Sequence, residues 1–214
     1  MLFTIQAFVT FFTIIDPVGL APVVIGLTAH MGEAQRRTIV TRSIVISAII
    51  IAFFAIVGRF LLDRLGINLY AFNIAGGVLL FLVSVDMLFG RSSGARETQT
   101  EEEEAMTRED ISVFPLAIPM IAGPGTIATT ILYVDQAASS SSSILNMLSV
   151  AAAIISALLV AWLVMRSSMW IVNYVGKTGI LVLSRILGIL LAALAIQFIL
   201  NGITTFSHLA GFLK

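Results

Sequence analysis

Long apolar stretches separated by short polar ones dominate this chain. A membrane-spanning helix needs roughly 17–25 mostly apolar residues, because each residue rises about 1.5 Å and the hydrocarbon layer is about 30 Å thick. The pattern therefore predicts an all-α polytopic membrane protein with six transmembrane helices. Their predicted bounds are 3–29, 39–62, 69–89, 113–134, 144–165 and 180–203.

A polar, acid-rich stretch separates the third predicted span from the fourth. It divides the chain into a first three-helix unit (1–89), a cytoplasmic loop (90–112) and a second three-helix unit (113–214). The run Glu101–Glu104 has the composition of a solvated loop, so we interpret it as part of that loop and not as a metal site.

Composition supports a lipid environment. Hydrophobic residues make up 58% of the chain and charged residues only 11%, against about 25% charged residues in soluble domains. The formal net charge is zero, so there is no electrostatic case for a nucleic-acid partner. The chain has no cysteine and no nucleophile–base or metal-ligand motif. We therefore expect no enzyme activity and no cofactor other than a coupling Na⁺ or H⁺.

The distribution of Lys and Arg predicts the orientation. Loops with an excess of these residues face the cytoplasm. Three of the 12 basic residues fall on one predicted face, namely Arg59, Arg64 and Lys214. The other nine fall on the opposite face, namely Arg36, Arg37, Arg42, Arg91, Arg96, Arg108, Arg166, Lys177 and Arg185. The second face is predicted to be cytoplasmic, with both termini outside. The N-terminus lacks the basic region of a cleaved signal peptide, so we expect the opening segment to be retained.

The two three-helix units resemble each other. At an offset of 112 residues, the stretches 73–90 and 185–202 align so that Gly76 matches Gly188 and Gly90 matches Gly202. Since three spans are an odd number of crossings, the second copy would be inverted in the membrane, as in many secondary transporters. The alternative is that apolar helices resemble each other by composition alone.

All five prolines of the chain fall into two segments, 17–22 and 115–124, in the first and fourth spans. Proline removes a backbone donor and breaks the helix, which leaves a half-helix N-terminus where an anion is favoured. The two N-termini are predicted to face one midplane cavity that binds substrate; ordinary proline kinks are the alternative. The predicted substrate-binding residues are Asp16, Pro17, Gly19, Gly123, Pro124, Gly125 and Thr126.

Asp16 has two possible roles at this site, one in function and one in helix capping. A carboxylate near the bilayer centre costs about 2.5–3.5 kcal/mol on insertion scales, which favours a function. Asp16 could accept a substrate ammonium, bind a coupling cation or carry a proton; it could also cap the half-helix that begins at Pro17. The two roles are compatible, although a capping carboxylate would compete with an anionic substrate for the same N–H groups.

Other polar residues within the spans favour structural roles. Asp86 and Arg185 lie at similar depth and could form a salt bridge, or each could extend to the interface. Asn73, Gln197 and Asn201 are expected to be interhelical hydrogen-bond partners. The small residues around Gly76 permit close helix contact, and homo-oligomer formation is left open.

Four motifs together closely resemble the MarC family of bacterial inner-membrane proteins, over nearly the whole chain. They are "IDPVGLAPV", "IAGGVLLFLV", "FPLAIPMIAGPGTIA" and "GKTGILVLSRILGILLAALAIQFILNGI". The resemblance implies six spans and a relation to small neutral amino acid transporters of the SnatA type. Family members often have Asn-Pro at the position of Asp16–Pro17, so a neutral polar role at position 16 is not carried over to this chain. Many also have Arg at the position of Asn73, so a role that depends on a charge there is not carried over either.

The sequence thus predicts a secondary transporter of small neutral amino acids, of the alanine, glycine and serine class, in the bacterial inner membrane. Alternating access would occur around the midplane site, and the expected partners are the substrate and the lipid bilayer. One alternative is a passive channel or an exporter of other small metabolites. A second, an intramembrane enzyme, is disfavoured because no nucleophile–base pair is evident.

Overall fold

The computed structural model describes residues 2–28, 31–89, 111–140 and 142–209, and within these ranges the chain is helical. The acidic loop predicted at 90–112 lies almost entirely outside the described residues. The helices are α1 (Leu2–Ile15), α2 (Pro17–Leu27), α3 (Glu33–Arg64), α4 (Leu69–Phe89), α5 (Ser112–Ile121), α6 (Pro124–Ala138), α7 (Ser143–Arg166) and α8 (Ser168–Leu209).

The helices confirm the predicted fold class. Five stretches are long and apolar enough to cross a membrane, with α1 and α2 acting as one of them. A sixth span exists when α5 and α6 are taken together, although these two helices are bent by 54° at the break between them. The fourth span, predicted over 113–134, is therefore interrupted near Pro124, as its prolines predicted. The inverted relation of the two units stays a prediction.

The break between α1 and α2 follows from two residues. Pro17 has no N–H group to continue the helix, and Asp16 adopts a left-handed backbone conformation with φ 46° and ψ 62°. Aspartate is one of the few residues that adopt this conformation readily, because its short side chain hydrogen-bonds locally. The chain thus ends one helix and begins the next without a loop.

Helix α5 is irregular because of its prolines. Phe114 and Ile118 have extended backbone angles, as expected for residues that directly precede proline. The N–H of Ala122 donates to the carbonyl oxygen of Ala117 at 2.9 Å, a wider turn than that of an α-helix. This segment packs against α3, where the Ser47 hydroxyl lies 3.5 Å from the Ala117 carbonyl oxygen.

Helices α4 and α8 pack closely against each other because glycines face the partner backbone. A β-carbon at Gly77 would lie 2.7 Å from the carbonyl oxygen of Ala195, and one at Gly202 would lie 2.7 Å from that of Tyr70. Such distances leave no room for a side chain. These contacts join the third span to the sixth along most of their length.

Helix α8 contains a break that the sequence did not predict. Gly176 has φ 71° and ψ 162°, which separates a short helical segment, 168–175, from the membrane-spanning part, Thr178–His208. Trp170 and Tyr174 on the short segment are stacked, with ring centroids 5.0 Å apart, and both are exposed. We call residues 168–175 the aromatic segment.

The ends of the helices are chemically different. Arg59 near the end of α3 forms an ion pair with Asp135 near the end of α6, so these helices run in the same direction. At the opposite end, the start of α3 and the end of α7 bring Arg36, Arg37 and Arg166 around one cavity. This arrangement agrees with the predicted alternation of spans, while the assignment of the arginine-rich end to the cytoplasm stays a prediction.

Candidate functional site

The two helix breaks lie side by side in the interior. A β-carbon at Gly125, in the first turn of α6, would lie 3.0 Å from Leu80 Cδ2 and 3.6 Å from Ile14 Cγ2. Ile14 is the penultimate residue of α1, two positions before Asp16. The start of α6 therefore packs directly against the end of α1, although the two segments are more than 100 residues apart in the sequence.

A small cavity of about 30 Å³ lies at this junction. A water molecule needs roughly 10–15 Å³ of such space, so the cavity has room for about two. Most of its lining is apolar, and the first turn of α6 forms part of its wall. The lining residues are Ile14, Leu79, Val83, Pro119, Met120, Gly123, Pro124, Gly125 and Thr126.

Asp16 caps α2. Its side chain is 3% exposed, and its Oδ1 accepts a hydrogen bond of 3.1 Å from the N–H of Gly19. The hydroxyl of Ser184, on α8, donates to Oδ2 at 3.4 Å. The structure thus shows the capping role that the sequence left open, and it adds Ser184, which the sequence analysis missed.

Gly19 makes this cap possible. A β-carbon at this position would lie 2.1 Å from Oδ2 of Asp16, far inside the contact distance of the two atoms. The carboxylate folds over the first turn of α2 in the space that a side chain would otherwise fill. Position 19 therefore accepts only glycine while Asp16 holds this conformation.

The start of α6 is built differently. Its N-cap residue is Gly123, and no side chain caps it; Pro124 follows as the first helical residue. The N–H groups of the first turn have no partner within their own helix, and here Gly125 and Thr126 carry them. The Thr126 hydroxyl donates to the Ile121 carbonyl oxygen at 2.9 Å, so it secures the loop before the helix.

A polar seam joins α1 and α6. The hydroxyls of Thr10 and Tyr133 are hydrogen-bonded at 2.9 Å in the buried interior. Thr129 lies one helical turn before Tyr133, on the same face of α6. Its hydroxyl is fully buried and has no hydrogen-bond partner among the described residues. The hydroxyl residues at helical spacing in α6 were a signal for this seam, but the α1 partner was not recognisable.

The predicted site residues fall into two adjacent groups. Gly123, Pro124, Gly125 and Thr126 line the cavity together. Asp16, Pro17 and Gly19 lie just beyond Ile14, at the start of α2, and are not part of its lining. The structure therefore brings the two breaks into contact, with one of them open to the cavity and the other closed by its own carboxylate.

The remaining polar residues were expected to act structurally. Asp86 is half-buried on α4 and Arg185 is exposed on α8, and their pairing stays a prediction. The side-chain amide of Gln197 donates to Asn201 Oδ1 at 2.9 Å, so this hydrogen bond lies within α8 and not between helices as expected. Asn73 Oδ1 is buried and has no hydrogen-bond partner among the described residues.

Comparison with known proteins supports the assignment to a family. A family profile described as MarC family integral membrane protein matches residues 1–207. A UPF0056 membrane protein of Methanocaldococcus jannaschii is 36% identical, over 94% of this chain and 86% of its own length. The UPF0056 membrane protein YhcE of Escherichia coli is 36% identical, over 92% of this chain and 89% of its own. No solved structure matches this chain. With its multiple apolar spans, this chain belongs to the MarC family of integral membrane proteins.

Proposed function

We propose that this protein is a secondary transporter of small neutral amino acids, of the alanine, glycine and serine class. The observation that carries the proposal is the N-terminus of α6, which has no side-chain cap and lines a small cavity beside the break that holds Asp16. Interrupted spans with half-helix N-termini inside the membrane are typical of substrate sites in secondary transporters.

The start of α6 is suited to the carboxylate of the substrate. An uncapped helix N-terminus favours an anion through its N–H groups and the macrodipole. The start of α2 is less suited, because Asp16 already accepts the N–H of Gly19. The substrate carboxylate then does not compete with Asp16 for the N–H groups of α2. In this proposal it binds only to the N–H groups of Gly125 and Thr126.

Asp16 is suited to the ammonium group. A carboxylate offers about four acceptor positions, so a cap to Gly19 is compatible with a further donor from the substrate. Its charge is nearly fully buried, and an intramembrane carboxylate is costly enough to indicate a function. Asp16 is also the candidate for a coupling Na⁺ or H⁺, and the buried hydroxyl of Thr129 on α6 is a further candidate ligand.

The size of the cavity indicates how access would alternate. About 30 Å³ is too small for an amino acid, so α1–α2 and α5–α6 must separate for substrate to enter. Leu79, Val83 and Met120 would then surround the substrate side chain, which favours small and neutral ones. The ion pair of Arg59 with Asp135 holds α3 to α6 at one end of the helices and is a candidate closure on that side.

The alternatives are a passive channel and an exporter of other small metabolites. A channel needs a continuous polar pathway, whereas the lining of the cavity between the two breaks is mostly apolar. An exporter would share the proposed site and differ in substrate and direction. An intramembrane enzyme remains disfavoured by the absence of a nucleophile–base motif in the sequence.

The proposal is tested with purified protein in proteoliposomes. Uptake of labelled alanine, glycine and serine is measured with and without Na⁺ and pH gradients, and protein-free liposomes are the control. Saturable uptake that a gradient accelerates supports a secondary transporter. A rate that rises linearly with concentration would indicate a channel, and no uptake of any of the three would remove the amino-acid substrate.

A further inference from the structure

Two neighbouring cavities lie at the arginine-rich end of the helices, about 510 and 450 Å³ in volume. Both are lined by Arg37 and Arg166. The first cavity also contains Arg42, and the second contains Arg36 and Glu33. We call these two cavities together the arginine pocket. It lies at the opposite end of the helices from the Arg59–Asp135 ion pair. Its lining contains none of the residues proposed to bind the amino-acid substrate.

Arg36 is fixed within the arginine pocket. It is only 9% exposed, and its Nε donates to the Thr28 hydroxyl at 2.8 Å. Thr28 ends α2 and is itself anchored, because its hydroxyl donates to the Val24 carbonyl oxygen at 2.6 Å. A guanidinium carries five N–H donors in a rigid fork that matches the geometry of phosphate. Among the described residues, this bond through Nε orients the fork, and its outer edge can donate to other acceptors.

Arg166 is positioned by stacking. Its guanidinium lies over the ring of Trp162, 5.1 Å from the ring centroid. The indole N–H of Trp162 donates to the Thr41 hydroxyl at 3.0 Å, which ties α7 to α3. The cation on α7 is thereby held beside Arg37, which forms an i,i+4 ion pair with Glu33 on α3.

The electrostatic balance of the arginine pocket is positive. Four arginines and one acidic residue, Glu33, line it among the described residues. Helix α3 begins there with Gly32 as its N-cap and no side-chain cap, so its positive dipole end adds to the field. An anion is the ligand that this balance favours.

The aromatic segment indicates the depth of the arginine pocket. Met169 and Trp170 belong to its lining, and Trp170 and Tyr174 are 64% and 79% exposed. Exposed Trp and Tyr in membrane proteins lie at the level of the lipid headgroups. The arginines are therefore at the height of lipid phosphates, and exposed apolar groups beside them face the acyl chains.

We propose that the arginine pocket binds the headgroup phosphate of an anionic phospholipid. Basic pockets between transmembrane helices are known binding sites for such headgroups. The bound phosphate bridges α3, through Arg36 and Arg37, to α7, through Arg166. Free phosphate shares this chemistry, but the exposed Met169 and Trp170 at the pocket favour a ligand with acyl chains.

The chain provides its own fluorescent reporters for this site. Its two tryptophans are Trp162 and Trp170, and both lie at the arginine pocket. Detergent-solubilised protein is titrated with phosphatidylglycerol that carries bromine on its acyl chains, and quenching is recorded. Brominated phosphatidylcholine is the comparison. We expect half-maximal quenching at a several-fold lower mole fraction of phosphatidylglycerol than of phosphatidylcholine.

Three variants assign the preference to the arginine pocket. R166Q should reduce the preference for phosphatidylglycerol about fivefold, the effect typical of one arginine near anionic lipid. R64Q is the matched control, because Arg64 also stacks on an aromatic ring, that of Phe60, but at the opposite end of α3; it should keep the preference. R37Q changes an exposed side chain, so it preserves the fold and should also weaken the preference.

Three results would overturn the proposal. Equal quenching by both lipids would show that the headgroup charge is not recognised. An equal loss in R64Q and R166Q would show that the preference does not arise at the arginine pocket. Displacement of the brominated phosphatidylglycerol by millimolar inorganic phosphate would identify a site for soluble anions instead of a lipid.

Discussion

The carboxylate of Asp16 lies over the first turn of α2, where its Oδ1 accepts the N–H of Gly19 at 3.1 Å. The lack of a side chain on Gly19 provides the space for this contact. The pair neutralises the positive end of α2 with a residue of the chain itself. At the neighbouring break, the start of α6 has no such side-chain cap. This difference between the two helix starts places the proposed binding of an anion at α6.

Replacement of Gly19 by alanine should destabilise the protein. The new β-carbon would lie 2.1 Å from Oδ2 of Asp16, so the carboxylate must leave the helix start and remain buried without its cap. We expect a loss of about 1–3 kcal/mol, as for other overpacked interiors, measured as thermal unfolding in detergent. G26A in the same helix is the control, because nothing lies within 4 Å of its β-carbon. Equal stability of G19A and G26A would contradict this packing.

Replacement of Asp16 by asparagine separates capping from charge. Asparagine is as good an N-cap as aspartate and also adopts left-handed angles, so thermal stability should change by less than about 1 kcal/mol. Gradient-driven alanine uptake should nevertheless fall at least tenfold, since the ammonium and cation partner is lost. D63N, which changes an exposed aspartate on α3, should transport normally. Unchanged gradient-driven uptake in D16N would leave Asp16 a purely structural role.

Replacement of Gly125 by alanine tests the junction of the two breaks. The β-carbon would lie 3.0 Å from Leu80 Cδ2, a contact that the end of a flexible side chain can relieve, so the stability cost should remain below about 1.5 kcal/mol. The methyl group would occupy the wall of the cavity beside the N–H groups, and uptake should fall about tenfold. G76A is the control: its β-carbon would lie 3.3 Å from Ala128, outside the cavity lining. A similar uptake in both variants would remove the cavity from the transport path.

Replacement of Thr129 by valine should raise stability and lower transport together. A buried hydroxyl without a partner costs about 1–3 kcal/mol, and valine has nearly the same shape, so T129V should unfold at a higher temperature. If the hydroxyl contacts substrate or coupling ion, uptake falls in the same variant. T130V is the control, because the Thr130 hydroxyl already donates to the Thr126 carbonyl oxygen at 2.7 Å, and it should show no gain in stability. An unstabilised T129V would show that this hydroxyl has a partner.

The sequence predicted those features that depend on local chemistry. Hydropathy placed the spans, and proline placed both helix breaks within one or two residues of Pro17 and Pro124. Prolines also made α5 irregular, but the angle of 54° between α5 and α6 is a feature of tertiary packing that no local pattern predicts. The contact of Ser184 with Asp16 joins residues 168 positions apart, and no local pattern indicates it.

The aromatic segment shows a second limit of hydropathy. Residues 168–175 mix apolar, aromatic and polar side chains, so they did not extend the predicted span at 180–203. The break at Gly176 depends on the positive φ of this residue. The sequence does not indicate which of the 16 glycines of the chain adopts such a conformation. The arginine pocket was not predicted either, because its arginines come from helices that are distant in the sequence. In the sequence they indicated only which face of the protein is cytoplasmic.

If the start of α6 binds the substrate carboxylate, an analogue that lacks this carboxylate should compete poorly for the site. Uptake of labelled alanine into proteoliposomes is measured with increasing unlabelled alanine or alaninamide, which keeps the ammonium group and lacks the carboxylate. We expect alaninamide to compete at least tenfold more weakly than alanine. Equal competition by the two compounds would show that the uncapped helix start does not hold a carboxylate.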